Sequence, residues 1–245
     1  MADIVLGLIT KNSLRNLRDI FIRTLGGSIQ VPYEKILLVD SGGDRTIEAT
    51  SEFCKEKNKT LYQISGGGKN RAEARQAVID FFLNYLKEEW LMFLDDDCIL
   101  KPNFFKEAEK HMVDSKVGLI WGLDDVEGTK FGDYLRYQRL DPRKYAIDAF
   151  YKRGGTHDTL LRRNALEGIE IPGYLHVLED RHIKNHVEKV GYKAVIVYEG
   201  CWHIMDYNIV MDAFEYYRTC GSIIFHRVVG DGSRKSDYSK HTNRD

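Results

Sequence analysis

The chain has 245 residues, 43% of them hydrophobic and 30% charged, with only four prolines; this is ordinary globular composition and excludes collagen-like, disordered and membrane-embedded classes. Thirty-six Lys and Arg against 37 Asp and Glu leave a formal charge of -1. No global basic field is present to gather a nucleic acid, so no nucleic acid partner is expected.

Short apolar runs alternate with amphipathic stretches over the first hundred residues, the rhythm of βα units around a mostly parallel sheet. Residues 4–9 predict the first strand. Leu14, Leu17, Ile20, Phe21, Thr24 and Leu25 recur at helical spacing, which predicts a helix ending at Gly26-Gly27. Strands are predicted at 35–39, 60–64 and 89–94, with helices at 47–57 and 72–86. Pro102 marks the start of a helix over 103–112, and a strand follows at 117–121. Residues 124–150 are charged and aromatic with no clear period. A helix is predicted over 179–190 and a strand over 193–198. No Pro/Ser/Gly linker divides the chain, so one domain is expected over 1–232, its halves meeting near residue 122, with a flexible tail over 233–245.

Cys54, Cys98, Cys201 and Cys220 form no CxxC pair and read as reduced thiols. The N-terminus has neither a basic region nor a cleavage site, and no apolar run approaches ~18 residues, so the expected location is the cytoplasm. Apolar and aromatic residues over 209–229, with Arg218 and Arg227 among them, suit a helix. Packing on the protein's own core and peripheral contact with the inner membrane face both remain open for it.

In an open α/β sheet, ligands bind beyond the carboxyl ends of the strands. Two predicted strands end in acids, one at Asp40-Ser41-Gly42-Gly43-Asp44 and one at Asp95-Asp96-Asp97. Extended backbone places Asp95 and Asp97 on one side and turns Asp96 away. Adjacent carboxylates repel, and Mg²⁺ or Mn²⁺ suits carboxylates combined with substrate phosphates. A solvated turn ahead of the next helix is the plainer alternative. Gly66-Gly67-Gly68-Lys69-Asn70-Arg71 lies between a strand and a helix, where N–H groups and basic side chains either meet a diphosphate or only turn the chain.

In chain order, ITKN at 9–12, VDSGGDRT at 39–46, NRAEARQAV at 70–78 and FLDDDCILKP at 93–102 are followed by GGTHDTLLRR from Gly154, LEDRH at 178–182 and CWH at 201–203. This series resembles family 2 glycosyltransferases of the GT-A fold over about residues 3–205. FLDDDCILKP resembles the family's DXD segment, LEDRH its ED motif and CWH its late histidine. The series departs from the family pattern at Ser41 and Gly43, where a second aspartate and a serine are frequent, and at His182, which replaces a frequent acid.

The resemblance implies an α/β GT-A fold: a Rossmann-like, mostly parallel central sheet flanked by helices, with an integrated acceptor-side subdomain. Residues 1–122 would form the nucleotide-binding half and 123–232 the acceptor half. The implied activity is metal-dependent transfer of a hexose from a nucleoside diphosphate sugar, of UDP or GDP type, to a hydroxyl on a glycan, a lipid-linked acceptor or a small molecule. Thr10, Asn12, Asp40, Ser41, Gly68, Arg71, Arg75, Asp95 and Asp96 would bind the nucleotide sugar, Asp40 accepting from the base and Asp95 contacting the ribose. Asp97 would hold Mn²⁺ or Mg²⁺, with His203 as the second protein ligand or a diphosphate contact. Asp180 would be the general base, giving inversion, and Glu179 would orient it or contact the acceptor. Gly154, Gly155 and Trp202 would lie on the acceptor side. Retaining transfer and a non-catalytic nucleotide-sugar or glycan-binding module are the alternatives. An acidic helix start for Glu179-Asp180, a packed histidine for His203 and a solvated pair for Arg162-Arg163 are the local ones.

Overall fold

The computed structural model describes residues 3–65, 70–125, 130–175 and 177–204; Gly68, Cys220, the 209–229 helix and the 233–245 tail lie outside them. β1 (Ile4–Thr10) is apolar almost throughout because it is central: β2 (Tyr33–Asp40) pairs with it in parallel on one side and β4 (Trp90–Leu94) on the other. β3 (Thr60–Gln63) extends the sheet beyond β2. β5 (Cys98–Leu100), β6 (Val117–Asp125), β7 (Asp158–Arg162) and β8 (Lys193–His203) complete one eight-stranded sheet, ordered β3-β2-β1-β4-β7-β6-β8-β5. β7 runs antiparallel to both β4 and β6, and β5 antiparallel to β8; the other pairings are parallel.

Strand alternation sends side chains to two cores, one on each face of the sheet. Leu6, Leu8, Met92 and Leu94 meet Phe21 and Leu25 of α1 (Ser13–Ser28), Cys54 of α2 (Thr46–Glu56) and Phe104 of α4 (Phe104–Met112). On the other face, Val5, Leu91 and Phe93 meet Val78 and Phe82 of α3 (Arg71–Tyr85), Phe150 of α6 (Pro142–Arg153), Leu166 of α7 (Arg163–Leu166) and Ile183 and Val187 of α8 (Glu179–Lys189).

The first helix does not stop at Gly26-Gly27. It continues to Ser28, whose Oγ donates to Leu25 O at 2.7 Å. The stretch without a readable period holds α5 (Lys130–Tyr137) and α6, the latter begun by Pro142 and capped by Asp141. β7 and β5 were not predicted: they are five and three residues long, and their pairing partners are remote in sequence. β6 and β8 run four and five residues past their expected ends, to Asp125 and His203. Those extensions bring further polar side chains to the crevice.

Candidate active site

At the carboxyl ends of β1 and β2, Thr10 and Asp40 are register partners, and Thr10 Oγ1 donates to Asp40 Oδ1 at 2.7 Å. Gly42 N donates to Asp40 Oδ2 at 3.2 Å. Asn12, in the left-handed region at φ 56°, accepts from Gly43 N at 2.9 Å and so ties the first βα turn to the second. Ser41 turns back on β1, its N and Oγ donating to Thr10 O at 3.0 and 3.4 Å. Asp44 accepts from Arg15 N and from the N and Oγ1 of Thr46, which anchors the start of α2.

Arg75 comes from α3 and is 2% exposed. Its Nη2 donates to Asp95 Oδ1 at 3.0 Å and its Nε to Glu179 Oε1 at 3.3 Å, with the guanidinium over the Phe93 ring. Burial opposes the charge on both sides, yet Asp95 and then Glu179 hold the Arg75 pKa up, and Arg75 and then His157 hold that of Asp95 down. Arg75 is thus a floor beneath the crevice. Its buried Nη1 has no hydrogen-bond partner. Arg71 is exposed at the first turn of the same helix.

The DDD run is not extended: Cys98 N donates to Asp95 O at 3.2 Å and closes a turn over 95–98. Asp96 turns toward α1, where Ser13 Oγ donates to its carboxylate and Thr24 Oγ1 to its carbonyl. Burial and then the charge of Asp97 push the Asp96 carboxyl up to about 7. Asp96 is therefore spent on the α1 side of the loop, away from Asp95 and Asp97.

Asp97 and His203 are brought together. The antiparallel register sets Cys98 against His203, and His203 Nε2 lies 3.2 Å from Asp97 Oδ2 across 106 residues of sequence. His203 Nδ1 is 3.2 Å from the Asp124 carboxylate. Although burial disfavours its proton, Asp124 and Asp97 lift the His203 pKa well above the ordinary range, while, against desolvation, His203 and then His157 hold the half-buried Asp124 carboxyl at about 2. A carboxylate, an imidazole fixed by a second carboxylate, and a ligand-atom cluster of Asp97, Cys98 and His203 within 4.8 Å fit a divalent cation. Trp202, on the opposite strand face, is 40% exposed.

Glu179 and Asp180 open α8. Glu179 is 4% exposed and bound to Arg75, which is not a solvated helix start. Asp180 is half-buried, and burial followed by the neighbouring Glu179 charge pushes its carboxyl up to about 7. Gly154 has φ +79°, and a Cβ there would stand 2.7 Å from Asp180 O; one on Gly155 would overlap the Trp121 indole. Both glycines let the end of α6 close on α8 and β6.

Arg162 and Arg163 lie elsewhere. They sit at the amino end of β4, where Arg162 pairs with Glu89 and donates to Met112 O and Val117 O, and Arg163 donates to Phe82 O and Glu88 O. They bind the far rim of the sheet. Sequence reasoning missed Asp124, His157 and Asp158. The signal for the first was present: Leu123-Asp124-Asp125 ends an apolar strand as Asp95-Asp96-Asp97 does.

A mixed α/β sheet with acids and a histidine gathered at its strand ends is the setting in which α/β proteins bind ligands. The glycosyl transferase family 2 model matches residues 9–170, and the chain belongs to that family. Solved structures with the same fold include TarS of S. aureus (TM-score 0.60, 13% identity), covering 91% of this chain and 39% of TarS. Glucosyl-3-phosphoglycerate synthase from Mycobacterium tuberculosis, solved with Mn²⁺, UDP and glucosyl-3-phosphoglycerate, is similar at TM-score 0.59 and 14% identity, covering 94% of this chain and 82% of that one. The mannosyltransferase PcManGT from Pyrobaculum calidifontis, in complex with GDP-Man and Mn²⁺, gives 0.61 and 15%, covering 95% and 66%. This chain therefore spans well under half of TarS. No curated protein matches the sequence.

Proposed function

We propose that the chain transfers a hexose from a UDP or GDP sugar to a hydroxyl acceptor with inversion, as one catalytic domain whose donor half is 1–122 and acceptor half 123–232. The observation that carries this reading is the meeting of Asp97 and His203, 3.2 Å apart, at the strand ends of a family 2 fold. These two residues would hold Mn²⁺ or Mg²⁺, which when bound neutralises charge developing on the departing nucleoside diphosphate. Complexes of similar folds with Mn²⁺ and UDP or GDP-Man support that ligand class.

Asp40, steadied by Thr10, accepts N–H groups of the base, and Asp95, set by Arg75, accepts from the ribose. Asp180 takes the proton of the attacking hydroxyl; a carboxyl raised to about 7 is better matched to that task than one near 4. Glu179, locked by Arg75, fixes where Asp180 stands. Gly154, Gly155 and Trp202 border the acceptor, a glycan, a lipid-linked hydroxyl or a small molecule.

Calorimetric titration with UDP, GDP, CDP and ADP, each with and without Mn²⁺, tests the donor site. Metal-dependent binding of UDP or GDP is expected. Binding of none overturns the reading.

A further inference from the structure

Beside the Asp97–His203 pair, four side chains from three strands meet where β6, β7 and β8 run together. Asp124 and Cys201 are register partners on β6 and β8, just past a bulge at Gly122. His157 and Asp158 enter at the start of β7. One ligand atom from each of Asp124, His157 and Cys201 lies within 4.8 Å of the others. His157 Nε2 is 3.5 Å from Asp158 Oδ1, and the Cys201 thiol neighbours the same carboxyl.

Hydrogen bonding among these groups is sparse. Asp158 is 0% exposed and is donated to by the Cys201 thiol but by no N–H or O–H; His157 Nε2 stands 3.5 Å from its Oδ1, and Asp124 Oδ1 stands 3.2 Å from His203 Nδ1. A thiol is a weak donor, so the buried Asp158 carboxyl is poorly satisfied, and a cation beside it would satisfy it better. The backbone makes room for the arrangement: a Cβ on Gly122 would stand 2.6 Å from Asp158 Cγ and 2.8 Å from Gly200 Cα.

We propose that Asp124, His157, Asp158 and Cys201 form a second metal site, distinct from the Asp97–His203 pair, and that its ion is Zn²⁺. One imidazole, one thiolate and the Asp124 carboxylate are three donors of mixed softness within 4.8 Å of one another, of the kinds zinc takes, and the Asp158 carboxyl beside His157 is the candidate fourth. As the Sγ–metal bond forms, the Cys201 proton passes to solvent. Asp124 and His157 retain 18% and 14% side-chain exposure, which gives an ion a way in from the crevice. The site would clamp three strand ends together. It would also fix Asp124, the carboxylate that orients His203 through Nδ1.

Cobalt titration of the full chain, followed by absorption, and zinc content after dialysis test this without any nucleotide. The expected result is one Zn²⁺ per chain, and a thiolate-to-cobalt charge-transfer band that survives Asp97→Ala and Cys98→Ser. The band should vanish in Cys201→Ser, and zinc affinity should fall roughly tenfold or more in His157→Gln and Asp158→Asn. A wild-type protein without the band overturns the proposal by itself, whatever the variants do. So does a band lost in Cys98→Ser but kept in Cys201→Ser, or zinc that disappears with Asp97→Ala, since the ion would then belong to the donor site.

Discussion

Arg75 Nε donates to Glu179 Oε1 at 3.3 Å, a buried link between α3 and the start of α8 across 104 residues of sequence. The same guanidinium holds Asp95. Removing it strands the buried Glu179 carboxylate and takes the partner from the partly exposed Asp95. Arg75→Ala is expected to lower unfolding free energy by about 3–5 kcal/mol, the usual loss when one partner leaves a buried ion pair. Arg75→Lys should recover little, because an ammonium cannot span both carboxylates with a planar fork. Urea unfolding of the three proteins checks both statements.

Asp180→Asn should lower kcat by about 10²–10⁴ while leaving diphosphate affinity unchanged. In the unmodified enzyme, kcat/KM should rise with pH and level off above about 7, where the carboxyl is ionised. The stability effect has the opposite sign. An acid whose folded pKa lies above its unfolded value of about 3.9 makes the fold less stable as pH rises from that value to about 7. Asn carries no such penalty. Asp180→Asn should thus be as stable as the parent at pH 3 and more stable at pH 8, by denaturant midpoint.

Asp97→Ala and His203→Ala are expected to abolish the Mn²⁺ dependence of nucleoside diphosphate binding, since each removes one of the two groups that meet at 3.2 Å. Calorimetry with and without Mn²⁺ reads this directly. Equal metal dependence in parent and variants would remove the pair from the donor site.

Gly154 occupies φ +79°, ψ -171°, backbone that is essentially reserved for glycine. Gly154→Ala should cost on the order of 1–3 kcal/mol of stability. Because the new methyl meets the carbonyl of Asp180, 2.7 Å away, kcat should fall as well. A thermal melt and a rate measurement on one preparation separate the two effects.

Much of the donor half was legible in the sequence. Apolar runs ending in acids located Asp40, Asp95 and Asp97 at strand ends, because a parallel strand covered on both faces has few polar positions except where it leaves the sheet. Asp96 does face away from Asp95, toward α1, but through a turn over 95–98 that the extended-strand reading did not anticipate. The acceptor half was less readable. β7 is five residues of TLLR-type sequence whose partners β4 and β6 lie far from it in the chain, and no local period announces such a strand.

Residue chemistry and local order, by themselves, determined the family and the strands that carry its acids. Which acids share a partner was decided only in three dimensions. Arg75 reads as a ligand contact in sequence, and in the fold it is a buried strut between Asp95 and Glu179. Asp124 and His157 acquire meaning only when the extra length of β6 and β8 carries Asp124 beside His203 and Cys201. Local propensities act over a few residues, whereas register between strands is set by how the whole sheet closes, and electrostatic partnership follows register.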